Sequence, residues 1–393
     1  MPQSLANTAA RLRRSDLRHS IAFQGDALSS DYEHIVLSVL MLDRSVASTT
    51  SAQRVEEEIA KAIKDNLASG TSFSGSDVSN IMRNLNSTSL EDWQVFRRLD
   101  GATVSRGSIN LGHLRVFRRD RYLAHVKRRY RHVLLSDADR LFPETALDPL
   151  QLQAVISTTV AARDSTYARE VADLRFKWFD RGIRFVVGRS RLYTVGVFDN
   201  EGYRWSQFIA LSPTGQDGRE HYSGSIPFDL SSYDLKSTAL GLDELWGILS
   251  QAETVANEPR ENIHARILRA VDWVGRGVND RDHVNAFIQF IFALEALFTV
   301  GSGSIGTRLA ESASYLLGST FNDRVARYEE VTTLYAKRSE VAHGDVSAVS
   351  EADTELAFKY VRSCVARMLT HRRISKMQGY SEFQDWVKKN KFS

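Results

Sequence analysis

Cysteine and long apolar runs are both scarce in this sequence of 393 residues. The single cysteine, Cys364, excludes a disulfide within one chain or a zinc site of several cysteines, and it is typical of a reducing, cytoplasmic protein. The most apolar run, residues 286–300, is 15 residues long and contains Gln289 and Glu295. Because a membrane-spanning helix needs about 20 mostly apolar residues, we expect a buried helix here and no membrane contact.

The periodicity of apolar residues predicts two parts of different fold class, divided near residue 240. Residues 1–240 are expected to form an α+β domain of mixed helices and antiparallel strands. The predicted elements are helices at 52–67, 121–135 and 150–180, a hairpin over 93–117, and strands at 183–188, 191–199 and 204–212. Residues 241–393 carry only helical spacings, which predicts an all-α bundle whose last long helix starts with a Ser350/Asp353 capping box.

The net charge of +3 is too small to indicate a nucleic-acid-binding protein, but it hides a local cluster. Residues 115–132 hold eight basic residues and one acidic residue, a net charge of +7. Aromatic residues between the basic ones, Phe117, Tyr122 and Tyr130, suggest base stacking beside phosphate contacts. The predicted RNA-binding residues are Arg118, Arg119, Arg121, Lys127, Arg128, Arg129 and Arg131. A solvated amphipathic helix explains the same pattern, and both interpretations stay open.

One short segment has a spacing that suggests catalysis, and it lies near the end of a predicted helix. In Leu334–Gly344 (LYAKRSEVAHG), Gly344 is expected to follow the helix and His343 to cap it. Arginine can bind a phosphate and histidine can move protons near neutral pH. Arg338 precedes His343 by five residues, about 140° around an ideal helix. Convergence therefore needs an unwound last turn or a second chain, and an exposed charge with a capping group is the ordinary interpretation.

Glu295 is the second residue of interest, because it lies within the apolar run. A buried carboxylate needs a partner, often an arginine. Glu295 is therefore expected either to orient Arg338 or a neighbouring helix, or to lie on the solvent side of its own helix. The sequence has no Walker A motif and no His-x-x-x-His pair, so neither a P-loop nor a zinc-hydrolase site is expected.

Three segments of the helical part, in this order, resemble the HEPN superfamily and, within it, the ApeA-like ribonucleases of anti-phage defence. They are FIFALEALF at 290–298, RLAESASYLLG at 308–318 and LYAKRSEVAHG at 334–344. The resemblance covers residues 245–372 and implies that Arg338 and His343 form the R-x4-6-H signature. It implies an endoribonuclease without metal or cofactor, whose composite site is formed by a homodimer. Ser339 stands where many members carry Asn, Asp or His, and can still hydrogen-bond a phosphate oxygen.

The sequence thus predicts cleavage of RNA through attack by its own 2′-hydroxyl, with Arg338, His343, Ser339 and Glu295 in the site. An α+β sensor domain would precede the nuclease, and the resemblance implies abortive infection as the biological role. A phage-derived trigger or an antitoxin chain would be further partners. Two alternatives stay open, a non-catalytic module for dimerisation or nucleotide binding and the toxin of a toxin–antitoxin pair.

Overall fold

The computed structural model describes residues 36–99, 102–104, 107–134, 138, 154–188, 208–220, 233–234, 242–252, 261–299, 304–344 and 349–392. Helices α1 (Arg44–Ala47), α2 (Ala52–Ser69) and α3 (Gly75–Ser87) precede the sheet. Helix α2 begins where the Ser51 side chain accepts the Arg54 N–H, and it ends at Gly70 with φ of +68°. Its buried stripe of Val55, Ile59 and Ile63 packs with α3 in a small separate core, so the helix predicted at 52–67 is confirmed.

A six-stranded antiparallel sheet in the order β3-β4-β5-β1-β6-β7 forms the centre of the N-terminal part. Its strands are β1 (Glu91–Leu99), β3 (Ser108–Leu111), β4 (Leu114–Arg118), β5 (Ala154–Ala162), β6 (Phe208–Leu211) and β7 (Asp217–Glu220). The short strands β2 (Ala102–Thr103) and β8 (Tyr233–Asp234) pair separately and in parallel. The mixture of helices and antiparallel strands predicted for this part is confirmed.

Strand β5 corrects the predicted helix over residues 150–180. Most of its side chains are buried on both faces of the sheet, so its apolar residues do not alternate with polar ones. Such a run cannot be distinguished from the start of a buried helix by periodicity. The helix that follows, α5 (Ser165–Val187), begins at the Asp164 cap, whose carboxylate accepts the Tyr167 N–H at 2.8 Å.

Helix α5 also corrects the strand predicted at residues 183–188. Ile183 and Phe185 favour a strand by propensity, but the apolar stripe of α5 continues through them into the core. The helix ends only at Gly188, which has φ of +76° and donates its N–H to the Arg184 carbonyl. The strand predicted at 191–199 lies outside the described residues, whereas the one predicted at 204–212 is present in part as β6.

The strand pairing predicted for a hairpin over residues 93–117 is wrong. Strand β1 pairs with β5 and β6 rather than with the segment that follows it. The hairpin is formed by β3 and β4 alone, around a tight turn in which Gly112 has φ of +63°. Helix α4 (Arg119–Arg129) follows directly and confirms the core of the helix predicted at 121–135.

Every element that the structure describes from residue 242 onward is helical, as predicted. The helices are α6 (Leu242–Leu249), α7 (Ile263–Asn279), α8 (His283–Phe298), α9 (Ile305–Leu317), α10 (Phe321–Ala342), α11 (Glu351–Thr370), a 3-10 turn (Ile374–Lys376) and α12 (Tyr380–Lys391). Helix α8 packs against α7 and α11, and α9 packs against α10. The predicted capping box of Ser350 and Asp353 starts α11, and Cys364 is buried within it.

One hydrophobic core connects the sheet with the helical part across residue 240. Helix α5 packs on the sheet and also on α7, where Arg181 pairs with Asp272 at 3.2 Å. Phe179 stacks on Trp246 of α6 with ring centroids 5.3 Å apart. The boundary near residue 240 therefore remains a prediction. Within the described ranges, no helix is long and apolar enough to cross a membrane.

Candidate active site at the end of helix α10

Helix α10 carries Arg338 and ends at His343. The His343 N–H donates to the Ser339 and Glu340 carbonyls at 3.1 and 3.0 Å, and Gly344 follows with φ of +99°. His343 is therefore the C-cap, as the sequence predicts. Its side chain is exposed to solvent, at a helix end whose partial negative charge attracts a cation.

The Arg338 side chain lies against α8, where it meets Glu295. Arg338 Nε is 3.5 Å from Glu295 Oε1, and the two side chains are 27% and 20% exposed. The guanidinium carbon lies 5.5 Å from the centre of the Phe292 ring and 6.0 Å from that of Tyr335. The structure thus places Glu295 beside Arg338, one of the two positions expected for this carboxylate.

The electrostatics of the pair reflect partial burial in aromatic surroundings. Burial raises the pKa of Glu295, while the positive charge of Arg338 opposes that rise. Burial, followed by the charge of Glu295, raises the pKa of Tyr335. Arg338 Nε and Glu295 Oε1 make no hydrogen bond despite their proximity, so the pair is a charge contact. Among the described residues, no hydrogen bond occupies the terminal guanidinium nitrogens of Arg338, which can bind an anion.

His343 and Arg338 do not converge on one point within a single chain. Helix α10 stays regular through Ala342, so the separation of about 140° around its axis persists. The Arg338 side chain turns towards α8, whereas His343 lies at the exposed helix end. Ser339 lies between them in the sequence and is half-buried. Its carbonyl accepts the His343 N–H. The unwound last turn that would bring the groups together is absent from this described helix.

Two aromatic residues of the site were not identified from the sequence. Phe292 precedes Glu295 by three residues on α8, and Tyr335 precedes Arg338 by three residues on α10. Residues three apart share a helix face, so each helix presents one ring and one charge to the other. That matched spacing is the signal that could have identified them.

Lys337, the neighbour of Arg338, belongs to a different contact. Its Nζ lies 2.6 Å from Asp353 Oδ2 and links α10 to the start of α11. Asp353 also closes the capping box of α11, and its hydrogen bonds with Lys337 and Ser350 lower its pKa although burial opposes them. Lys337 is thus held by its ion pair with α11, while the Arg338 side chain is directed towards Glu295 of α8.

The basic segment 115–132 forms β4, α4 and the turn after it. Its aromatic residues Phe117, Tyr122 and Tyr130 are buried against the sheet, so the predicted stacking of bases on them is wrong. The physical reason is the spacing of Tyr122, Val126 and Tyr130, which makes the apolar face of an amphipathic helix. The exposed basic residues are Arg115, Arg121, Lys127, Arg128, Arg129 and Arg131. Arg118 and Arg119 are half-buried, and Arg118 donates two hydrogen bonds to Asp120, at 2.6 and 2.8 Å.

No family model, curated protein or solved structure matches this chain. In the part of the chain that the structure describes, no group of three or more His, Cys, Asp or Glu residues is arranged to hold a metal ion.

Proposed function

We propose that this protein is an endoribonuclease of the HEPN type that needs no metal ion. Arg338 would bind the scissile phosphate, Glu295 would position Arg338, and His343 would act as general acid or base, with Ser339 as an added donor. The 2′-hydroxyl loses its proton and attacks the adjacent phosphorus. The bond to the 5′-oxygen breaks, that oxygen gains a proton, and the products are a 2′,3′-cyclic phosphate and a 5′-hydroxyl.

The contact between Glu295 and Arg338 is the observation that carries the proposal. A carboxylate and two rings fix an arginine whose terminal nitrogens are left to bind an anion. Fixed donors stabilise developing negative charge because they need no reorganisation during the reaction. A histidine at the exposed end of the same helix supplies the titratable group.

The proposed active form is a homodimer, because one chain does not bring Arg338 and His343 together. Helix α10 leaves a surface for a second copy, since only Val331 and Leu334 of its residues are buried. Phe321 is 78% exposed and Val325 is 40% exposed on the same helix. Four residues apart, they share one face of the helix and offer an apolar contact to a second copy.

The first experiment compares the wild type with the Arg338→Ala/His343→Ala double variant on RNA in EDTA. We expect the wild type to release 2′,3′-cyclic phosphate ends and the folded double variant to release none. Arg281→Ala, which removes an exposed arginine elsewhere in the helical part, is the matched control and should cleave normally. Cleavage that persists in the double variant, or that needs Mg²⁺, would refute the mechanism.

A mixing experiment tests the composite site. When Arg338→Ala and His343→Ala chains are mixed, a mixed dimer keeps one complete site if each site combines Arg338 of one chain with His343 of the other. Half of the dimers are then mixed, and each has one of two sites, so we expect about a quarter of the wild-type activity. A mixture as inactive as its components would place both groups of a site in one chain.

The proposed biological role is anti-phage defence by RNA cleavage, switched on by a phage-derived trigger. A folded dimer that binds nucleotides but never cleaves RNA would favour the non-catalytic module. Purification together with a second, inhibitory chain would favour the toxin of a toxin–antitoxin pair.

A further inference from the structure

A concavity of about 400 Å³ opens between the β3–β4 hairpin and α4, away from the candidate active site. Three arginines line it, Arg115 from β4 and Arg121 and Arg128 from α4. Arg121, Ala124, His125 and Arg128 follow the i, i+3, i+4, i+7 spacing of a single helix face. None of the described residues that line the concavity is acidic.

The backbone and neighbouring side chains hold two of these arginines in place. The Arg115 guanidinium lies over the Phe117 ring at 4.6 Å and donates to Ser108 Oγ at 3.2 Å. Gly107 has φ of +82°, and a Cβ there would lie 3.0 Å from Arg121 Cγ. Glycine at this position therefore allows Arg121 to lie flat against the backbone. The wall of the concavity is thus shaped around its positive charges.

His125 lines the same concavity and is oriented by a buried chain of hydrogen bonds. Gln94 Nε2 donates to Ser157 Oγ at 3.2 Å, and Ser157 Oγ donates to the Arg115 carbonyl at 3.4 Å. Gln94 Oε1 is then the acceptor for His125 Nε2, 2.8 Å away. In neutral His125 the proton is therefore on Nε2, and Nδ1 is an acceptor. Burial and the charges of Arg115, Arg129 and Arg128 lower the pKa of His125 to about 4, so the ring is neutral at pH 7.

We propose that this concavity binds the phosphate monoester group of a small phosphorylated ligand, of the size of a nucleoside monophosphate. Arginine forks match the geometry of phosphate oxygens, and three of them supply more donors than one carboxylate ligand could use. A volume of about 400 Å³ is in the range of small-molecule sites.

The charge of the concavity distinguishes a monoester from the diester of a nucleic-acid backbone. A phosphate monoester carries a charge of about −1.5 to −2 at pH 7, and the three arginines favour its dianion. A phosphodiester carries a single negative charge and gains less from the same arginines. The concave shape agrees with this choice, because it accepts one group rather than a continuous strand.

This inference does not depend on the proposed ribonuclease, since it uses β3, β4 and α4 and none of the residues of the candidate active site. It also differs from a general RNA-binding surface. Lys127, Arg129 and Arg131 are exposed in the same segment but do not line the concavity. They provide the matched control, because replacing them removes the same charge from the same helix region.

The test measures binding by calorimetry to the full chain, with inorganic phosphate, adenosine 5′-monophosphate and adenosine as probes. A 2′-O-methyl RNA hexanucleotide, with and without a 5′-phosphate, is a further pair of probes that separates an RNA end from a free nucleotide. We expect binding only of inorganic phosphate and of the probes that carry a phosphate monoester. Arg121→Gln/Arg128→Gln should weaken it by about a hundredfold, because each of the two lost charge-assisted hydrogen bonds is worth about tenfold. Lys127→Gln/Arg131→Gln should change it by less than about threefold, since these charges act only at a distance.

A second readout is the pKa of His125, followed by nuclear magnetic resonance of its ring protons. Bound phosphate should raise this pKa from about 4, because an anion favours the charged ring. Equal weakening by both double variants, or equal affinity for both hexanucleotides without binding of adenosine 5′-monophosphate, would overturn the proposal in favour of a general backbone-binding surface. No binding of any probe to the folded chain would also overturn it, whether or not the protein cleaves RNA.

Discussion

Replacing Glu295 by Gln removes the charge that faces Arg338 while keeping the shape of the side chain. At 3.5 Å and an effective dielectric constant of about 20, the attraction between the two charges is about 5 kcal/mol. Burial offsets much of this gain, as the raised pKa of Glu295 shows, and the two side chains are 20% and 27% exposed. We therefore expect Glu295→Gln to lower the free energy of unfolding by only about 1 kcal/mol, measured in urea.

The effect on RNA cleavage should be larger, because the guanidinium loses the charge that positions it. We expect kcat to fall by about tenfold or more, with a smaller change in KM. Lys337→Met is the matched control, since it breaks the adjacent ion pair with Asp353 at 2.6 Å. This control should lower stability by a similar amount and leave kcat near the wild-type value.

A double-variant cycle in RNA cleavage tests whether Glu295 acts through Arg338. In a background of Arg338→Ala, where residual cleavage is measured over long incubations, Glu295→Gln should have no further effect. If the fold-losses in cleavage rate caused by the two substitutions multiply in the double variant, Glu295 acts independently of Arg338. If Glu295→Gln alone cleaves RNA as fast as the wild type, its positioning role is refuted.

Three further predictions concern stability and the basic segment. Gly344→Ala should lower the free energy of unfolding by about 1 kcal/mol, because φ at this position is +99°. Gly247→Ala is the control and should not lower it, because Gly247 lies within a helix and a Cβ there would meet open space. Thermal unfolding compares the two variants. Tyr130→Phe should cost about 1 kcal/mol through the lost hydrogen bond to Gln94 Oε1, and unchanged RNA affinity in filter binding would agree with its burial. The folded state keeps His125 neutral down to a pKa of about 4, while the unfolded chain takes up this proton near pH 6.5. The stability should thus fall as the pH drops from about 6.5 to about 4, and a fall of equal size in His125→Gln would contradict this assignment.

The sequence predicts the type of a secondary-structure element where one face of the element is buried and the other is exposed to solvent. Helices α2 and α4 and the helices after residue 242 have such faces, and their stripes were read correctly from the spacing. Prediction failed where both faces are covered. Strand β5 and the last turn of α5 are buried on almost all sides, so neither alternation nor a polar face remains to define the period.

The candidate site was predictable in part for a related reason. A lone carboxylate in an apolar helix is costly, so Glu295 indicated that a cation lies nearby, and Arg338 was the cation already of interest. Phe292 and Tyr335 offered only their matched spacing from Glu295 and Arg338, which is a weak signal because aromatic residues in a helical stripe usually belong to the core. The basic segment misled for the same reason, since buried aromatics and stacking aromatics have the same sequence pattern.

The two groups of arginines in this protein differ in what surrounds them, and this difference assigns them different tasks. Arg338 faces a carboxylate and two rings, so its position is fixed and its net charge is largely balanced. Arg121 and Arg128 lie exposed on a helix face, beside a concavity whose described lining has no acidic residue. The Asp120 carboxylate, 3.9 Å from Arg121 Nε, already accepts two hydrogen bonds from Arg118 and so balances Arg121 only in part. A balanced, fixed guanidinium suits the stabilisation of charge that develops during a reaction, whereas an unbalanced group attracts an anion from solution. We therefore propose capture of a phosphate beside the sheet and chemistry on a phosphate in the helical part, because the two tasks require different surroundings.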